Sequence, residues 1–223
     1  ILGMQYTDYL PTIQQQDGKW INTVACPWMD RIAPTEKQKD GSVLCGQVHD
    51  PLAGILNGGI SGNAGIFSNA NDIGILAAAL LNGGEYNGRR ILSPLGVKTM
   101  CTVPRELTAF GRTPGWDIFS PYASNKGDLF SPNTFGHTGY TGTSIIIDPD
   151  NDTAVILLVN AVHPEDRHSI VRLRSLVANA VAASICPPAQ VYTDHYYKRF
   201  LQFETETPIS PKDIVMVGNS LTE

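Results

Sequence analysis

The sequence predicts an α+β domain in which an antiparallel sheet is flanked by helices. Two observations carry that prediction. Three candidate strands, residues 135–139, 143–148 and 154–160, follow one another closely, and Asp148-Pro149-Asp150-Asn151-Asp152 between the last two is a dense cluster of turn formers. Residues 71–81 and 169–184, before and after these runs, carry apolar residues at helical spacing. The strands are almost continuous in apolar residues, so the sheet is expected to be covered on both faces. Helices layered on such a hairpin make the α+β class.

The elements follow in order. In residues 1–67 Pro11, Pro27, Pro34, Pro51 and Gly58-Gly59 punctuate short apolar pieces, which predicts long surface loops with little regular structure. The glycine-rich stretch 58–65 follows no apolar strand and has no lysine after it, so it reads as a tight loop and not a phosphate cradle. In the 71–81 helix Ile73, Leu76, Ala77 and Leu80 form one face. Ser68 or Asn71 can cap it, Asp72 suits its positive end, and Asn82-Gly83-Gly84 stops it. Residues 84–134 read as loop-rich, with Arg90-Ile91-Leu92-Ser93-Pro94 opening a short helix toward Met100. After the strands, the 169–184 helix places Ile170, Leu173, Val177 and Val181 along one stripe, expected to pack on the hairpin. Cys186-Pro187-Pro188 ends that unit. Residues 187–212 read as a linker with a short helix around Tyr196, Phe200 and Phe203, and 213–223 as a buried strand that delivers Ser220 at its end.

Composition narrows the function. The 223 residues hold 16 Lys+Arg against 21 Asp+Glu, a formal charge of −5, so the field that nucleic acid requires is absent. No apolar run is long enough to span a bilayer. The opening Ile1-Leu2-Gly3-Met4-Gln5-Tyr6 has no part of a signal peptide and does not read as a natural start, so the chain is expected to be a fragment. Cys26, Cys45, Cys101 and Cys186 form no Cys-x-x-Cys pair, and their pairing, or their state as free thiols, stays open. Asp148, Asp150 and Asp152 mimic the start of a calcium loop but lack its glycine and closing glutamate. His163, His168 and His195 have no ligand-like spacing, and His49-Asp50 reads as a loop anchor. No cofactor and no metal site are expected.

The sharpest element is Phe135-Gly136-His137-Thr138-Gly139-Tyr140-Thr141-Gly142-Thr143. A His-Thr-Gly on a strand, followed by small residues, lets a substrate lie along the backbone with imidazole and hydroxyl beside it. This segment resembles the third box of the penicillin-recognising serine hydrolases, the family of serine β-lactamases, DD-peptidases and related esterases, in which His-Thr-Gly is a variant of Lys-Thr-Gly. Leu2-Gly3-Met4 with Thr7, Cys45-Gly46-Gln47-Val48-His49-Asp50-Pro51-Leu52-Ala53, Gly62-Asn63-Ala64-Gly65-Ile66-Phe67-Ser68, and Asn82-Gly83-Gly84 with 90–94 are similar to further stretches of that family, in the same order. The resemblance covers about residues 1–186 and implies an incomplete β-lactamase/transpeptidase-like fold.

The resemblance also implies roles. His137 takes the place of the box lysine beside the substrate's carboxylate, Thr138 offers that carboxylate its hydroxyl, and Gly139 allows close approach. The Tyr140 N–H forms one arm of an oxyanion hole. The family's Ser-x-x-Lys and Tyr-x-Asn boxes have no counterpart in the sequence, and Tyr122-Ala123-Ser124-Asn125 has the wrong spacing for the second and reads as a loop. The chain is therefore expected to be the C-terminal portion of the domain, inactive alone, with an apolar face left bare where the missing N-terminal half packs.

Val215-Met216-Val217-Gly218-Asn219-Ser220 resembles the first block of the SGNH (GDSL-type) esterases, which would make Ser220 a nucleophile, here without its base. The expected function is acyl-enzyme hydrolysis of an ester, amide or β-lactam, on a small-molecule or peptidoglycan-type substrate. The alternative is a non-catalytic peptidoglycan- or peptide-binding module fused to an SGNH esterase. The family also implies an extracytoplasmic setting.

Overall fold

The computed structural model describes residues 1–167 and 169–185. Residues Ile1–Asn179 form one compact unit, and Ala180 opens a second that runs to Glu223. The expectations for His168, Cys186, His195, the 187–212 linker, the 213–223 strand and Ser220 lie outside the described residues.

Strands β1 (Asp8–Tyr9), β2 (Thr12–Gln14) and β3 (Trp20–Asn22) open the chain and are followed by helix α1 (Pro51–Asn57), strand β4 (Ile66–Phe67) and helix α2 (Ala70–Leu81). A short hairpin, β5 (Glu85–Tyr86) and β6 (Arg89–Arg90), leads to α3 (Pro94–Cys101). The principal sheet is β7 (Phe135–Thr138), β8 (Ser144–Asp148) and β9 (Thr153–Leu157), antiparallel in the order β7-β8-β9, and α4 (Val171–Ala183) follows. This is the mixed α+β architecture of small antiparallel sheets and helices that the sequence predicts.

Pairing fixes the faces of the sheet. Phe135 lies opposite Ile147 and His137 opposite Ile145, so these four share a face. Ala77 and Leu80 of α2 pack on that face with Phe135, Ile147 and Ile118, and the Trp116 ring sits 5.2 Å from that of Phe135. Ile146 and Val155, on the opposite face, are buried too, so both faces are covered as expected.

Several local expectations change. Residues 1–67 hold more regular structure than their Pro and Gly content suggests. β1 pairs with β4, β2 pairs with β3, and α1 is capped by Asp50, whose carboxylate accepts from the Ala53 N–H at 2.7 Å. His49-Asp50 is thus an anchor, as read. The cap of α2 is Asn69, one residue after Ser68 and two before Asn71, accepting from the Asp72 N–H at 2.8 Å. Asp72 itself is buried and accepts from the Tyr6 N–H at 2.6 Å and the Thr7 hydroxyl at 2.8 Å, tying down the chain's first residues. Arg90 reaches back to the Gly83 carbonyl at 2.7 Å and pairs with Glu85 at 2.5 Å, which fixes the hairpin to the end of α2.

The stripe on α4 is different from the predicted one. Leu173 and Leu176 are 42% and 55% exposed, while Arg174 and Ala178 are the buried positions. Periodicity of apolar residues cannot anticipate a buried arginine. Val171, Leu173 and Leu176 together leave an apolar strip of α4 uncovered.

The 148–152 turn is organised by the Asp148 carboxylate. Asp148 is fully buried and accepts from the Ser131 hydroxyl (2.6 Å) and N–H (2.9 Å), the Asn151 side chain (2.7 Å) and the Asp150 N–H (3.1 Å). Burial alone would raise its pKa, but these donors outweigh burial and hold it below the ordinary carboxylate range. Among the described residues, no group of three or more His, Cys, Asp or Glu could hold a metal ion. No described helix is long and apolar enough to cross a membrane.

Cys26, Cys45 and Cys101 are free thiols, and burial pushes the Cys101 thiol up to about 11. Exposed Cys45 is therefore expected to react with a thiol reagent well before Cys101, as mass spectrometry of partly labelled protein would show. Asp148→Ala should cost about 3 kcal/mol in urea unfolding, because it strands buried donors. A lowered carboxyl pKa stabilises the fold above the unfolded value and loses that contribution as pH falls through the folded one. Wild type should accordingly lose its advantage over Asp148→Asn as pH drops below about 4.

Candidate active site

The candidate residues sit where the principal sheet has an open border. β7 is an outer strand. At Gly136 that border is occupied: the Asp117 N–H donates to the Gly136 carbonyl at 2.8 Å, and the Gly136 N–H donates to the Asp117 carbonyl at 3.1 Å. Backbone groups along an antiparallel strand alternate sides, so Thr138, two residues on, presents its N–H and carbonyl outward in the same direction. The border is thus closed at Gly136, whereas among the described residues no backbone partner meets it at Thr138.

His137 is exposed, on the sheet face that α2 covers farther along at Phe135. Its Nδ1 lies 2.9 Å from the Thr138 carbonyl oxygen. A carbonyl only accepts, so Nδ1 carries the proton and Nε2 of the neutral ring is left with a free lone pair. Thr138 is half-buried on the other face. Both residues line a narrow cleft of about 20 Å³ beside the border, with Asp117, Tyr122, Asn125 and Lys126 opposite. Tyr122 and Asn125 belong to a 3-10 helix, Pro121–Lys126, where the sequence reads as a loop. The Asn125 side-chain oxygen is buried without a partner.

The turn after β7 is tightly built. The Gly139 N–H donates to the Thr143 carbonyl at 2.7 Å and the Gly142 N–H to the Gly139 carbonyl at 3.1 Å. Gly142 has φ +124°, and a Cβ there would run into the Val159 carbonyl, so only glycine fits. A Cβ at Gly139 would meet the Thr143 hydroxyl. Between them Tyr140 is 74% exposed, and among the described residues no acceptor meets its N–H.

The Tyr140 side chain leans away from the cleft toward a polar cluster. Its hydroxyl donates to Asp166, and its ring stacks on His49 with centroids 5.7 Å apart. His49 Nε2 lies 3.2 Å from the Glu36 carboxylate. The hydrogen bond to Asp166, then the charge of Asp166, hold the Tyr140 phenol above its ordinary pKa. His137, Thr138, Gly139 and Tyr140 are therefore brought together at one end of β7, while Ser220 lies outside the described residues. Sequence reading missed Arg174 of α4, which touches this turn from inside, and set aside as a loop Tyr122 and Asn125, which line the cleft.

Asp166→Asn should move the Tyr140 titration back down toward the usual tyrosine range. NMR of protein carrying ¹³C-labelled tyrosine would read the shift.

The model of the β-lactamase family matches residues 24–179. A protein of Escherichia coli (strain K12) named "Putative D-alanyl-D-alanine carboxypeptidase" is 42% identical over 124 residues, 55% of this chain and 28% of that protein. A protein of the same name from Salmonella gallinarum is 40% identical over 124 residues, again 55% and 28%. The chain thus spans little more than a quarter of the length of these relatives. A crystal structure of a β-lactamase from Mycobacterium bovis aligns over 55% of this chain and 46% of its own, at 25% identity and a TM-score of 0.44. With the family model covering 156 of 223 residues, the chain belongs to the β-lactamase family.

Proposed function

We propose that this chain supplies the substrate-binding wall of a serine acyl-transfer site, acting on an ester, amide or β-lactam carbonyl. The observation that carries the reading is the open border at Thr138 next to the unpartnered Tyr140 N–H. An extended substrate can pair with the border, while its reacting carbonyl reaches the free N–H. Family membership supports acyl-enzyme chemistry, and the relatives' name favours a peptide of the peptidoglycan type, with a C-terminal carboxylate.

In this reading a serine from outside these residues attacks the carbonyl carbon. The C–O bond forms as the carbonyl π pair moves onto oxygen, and the Tyr140 N–H and the serine's own N–H take up the negative charge. The tetrahedral centre collapses, the bond to the leaving group breaks, and that group departs with the proton the serine hydroxyl gave up on attack. Water then hydrolyses the ester left on the serine. Thr138 gives its hydroxyl to the substrate carboxylate. His137 meets the same carboxylate as a donor only when Nε2 is protonated, because Nδ1 is committed to the Thr138 carbonyl. Its place is one where a lysine would hold a permanent charge.

The same reading takes residues 1–186 as the C-terminal part of the hydrolase domain, with the half that bears the serine as its partner, in an extracytoplasmic setting. The linker 187–212 and the segment 213–223, with its SGNH-like Ser220, stand apart from this chemistry.

Fluorescent penicillin, applied to the protein in which these residues are joined to a Ser-x-x-Lys segment, tests the proposal. Covalent labelling is expected. His137→Ala should slow it by about 100-fold, and His137→Lys should restore most of the rate. Reversible binding without a covalent adduct would instead favour a non-catalytic binding module. The 223 residues alone should not hydrolyse nitrocefin, and turnover by them would overturn the assignment of the serine to another segment.

A further inference from the structure

Arg174 of α4 is held in an unusual way. It is 7% exposed, and among the described residues no carboxylate pairs with it. Its Nη2 donates to the Gly139 carbonyl at 2.8 Å and the Thr143 carbonyl at 3.0 Å, and its Nε is buried without a partner. Burial lowers its pKa. A guanidinium buried against carbonyl dipoles alone is a poor way to stabilise a fold, since an apolar side chain of similar volume does as well or better. Both carbonyls already accept a backbone N–H, from Gly142 and Gly139 respectively, so neither needs the arginine to be satisfied.

What the arginine does fix is direction. The Gly139 carbonyl and the Tyr140 N–H belong to one planar trans peptide, so they point opposite ways. A donor that grips the carbonyl from the buried side turns the N–H to the other side. Gly139 has no side chain of its own to hold that peptide against rotation. We propose that Arg174 is a positioning residue which, through the Gly139 carbonyl, fixes the plane of the 139–140 peptide and aims the Tyr140 N–H at the oxygen of the reacting carbonyl. This rests on the acyl-transfer reading above.

Arg90 provides a matched control, since its Nη1 grips the carbonyls of Gly83 at 2.7 Å and Leu92 at 2.9 Å, and neither peptide carries the Tyr140 N–H.

The test uses the protein that carries the acylating serine, with Arg174→Met, Arg174→Lys and Arg90→Met. ¹⁵N relaxation reads the order of the Tyr140 amide, and steady-state kinetics read kcat and KM on a β-lactam or D-alanyl peptide. In Arg174→Met the Tyr140 amide should lose order and kcat should fall about 100-fold, with KM within about threefold of wild type. Arg174→Lys, which can still reach one carbonyl, should recover part of both, leaving kcat about tenfold down. Arg90→Met should lower stability while leaving the Tyr140 amide ordered and kcat within about twofold. A folded Arg174→Met with an ordered, unshifted Tyr140 amide overturns the inference; if that variant does not fold, the same result in Arg174→Lys does so. A loosened amide with undiminished kcat would keep Arg174 as the clasp of the turn but overturn both the aiming role and the place of Tyr140 in the chemistry.

Discussion

Ile147 packs against Phe135 across the β7–β8 ladder and against Ala77 and Leu80 of α2, and that contact sets the register of β7. A shift of one residue would carry Phe135 to the other face and turn the outward backbone groups of Thr138 into the ladder. The open border, the imidazole beside it and the turn that follows all depend on this one alignment. Both ends of β8 reinforce it, with the four donors around Asp148 at one end and the Gly139–Thr143 turn at the other.

The buried polar groups fall into two kinds with different energetics. Asp148 and Asp72 are acceptors met by several donors each, so their charge is compensated where it sits and removing them strands those donors. Lys126 and Arg174 are cations facing carbonyls that have other ties or little need of a full charge. The first kind is explained by stability alone. Arg174 is better explained by geometry, because a charge held only by dipoles gains less than desolvation takes away, whereas the charges of Asp117 and Asp148 act on Lys126.

Much of the architecture is legible in the sequence because it rests on periodicity. Strands β8 and β9 announce themselves through apolar runs and α2 through a clear 3.6-residue face. Helix α1 is hidden for a physical reason: seven residues with a glycine inside cannot display a period, and Pro51 reads as a breaker although it stands at the first turn, where proline is welcome. Leu173 misleads for the opposite reason, since it looks like core and faces outward while Arg174 turns in. At the site, the His-Thr-Gly motif is visible in the residues themselves. The part of the border left free depends on Asp117, nineteen residues upstream of Gly136, and the clasp on the turn on Arg174, 35 residues after Gly139. Neither spacing leaves a local trace.

The distance between Arg174 and the turn it grips has a bearing on the order of synthesis. A chain emerging from the ribosome completes the hairpin well before α4 exists. During that interval the 139–140 peptide is free to turn, since only short-range backbone bonds restrain it. Helix α4 therefore acts as a finishing step: when it docks the loop becomes rigid, and any fluctuation that lifts it returns the loop to its earlier freedom.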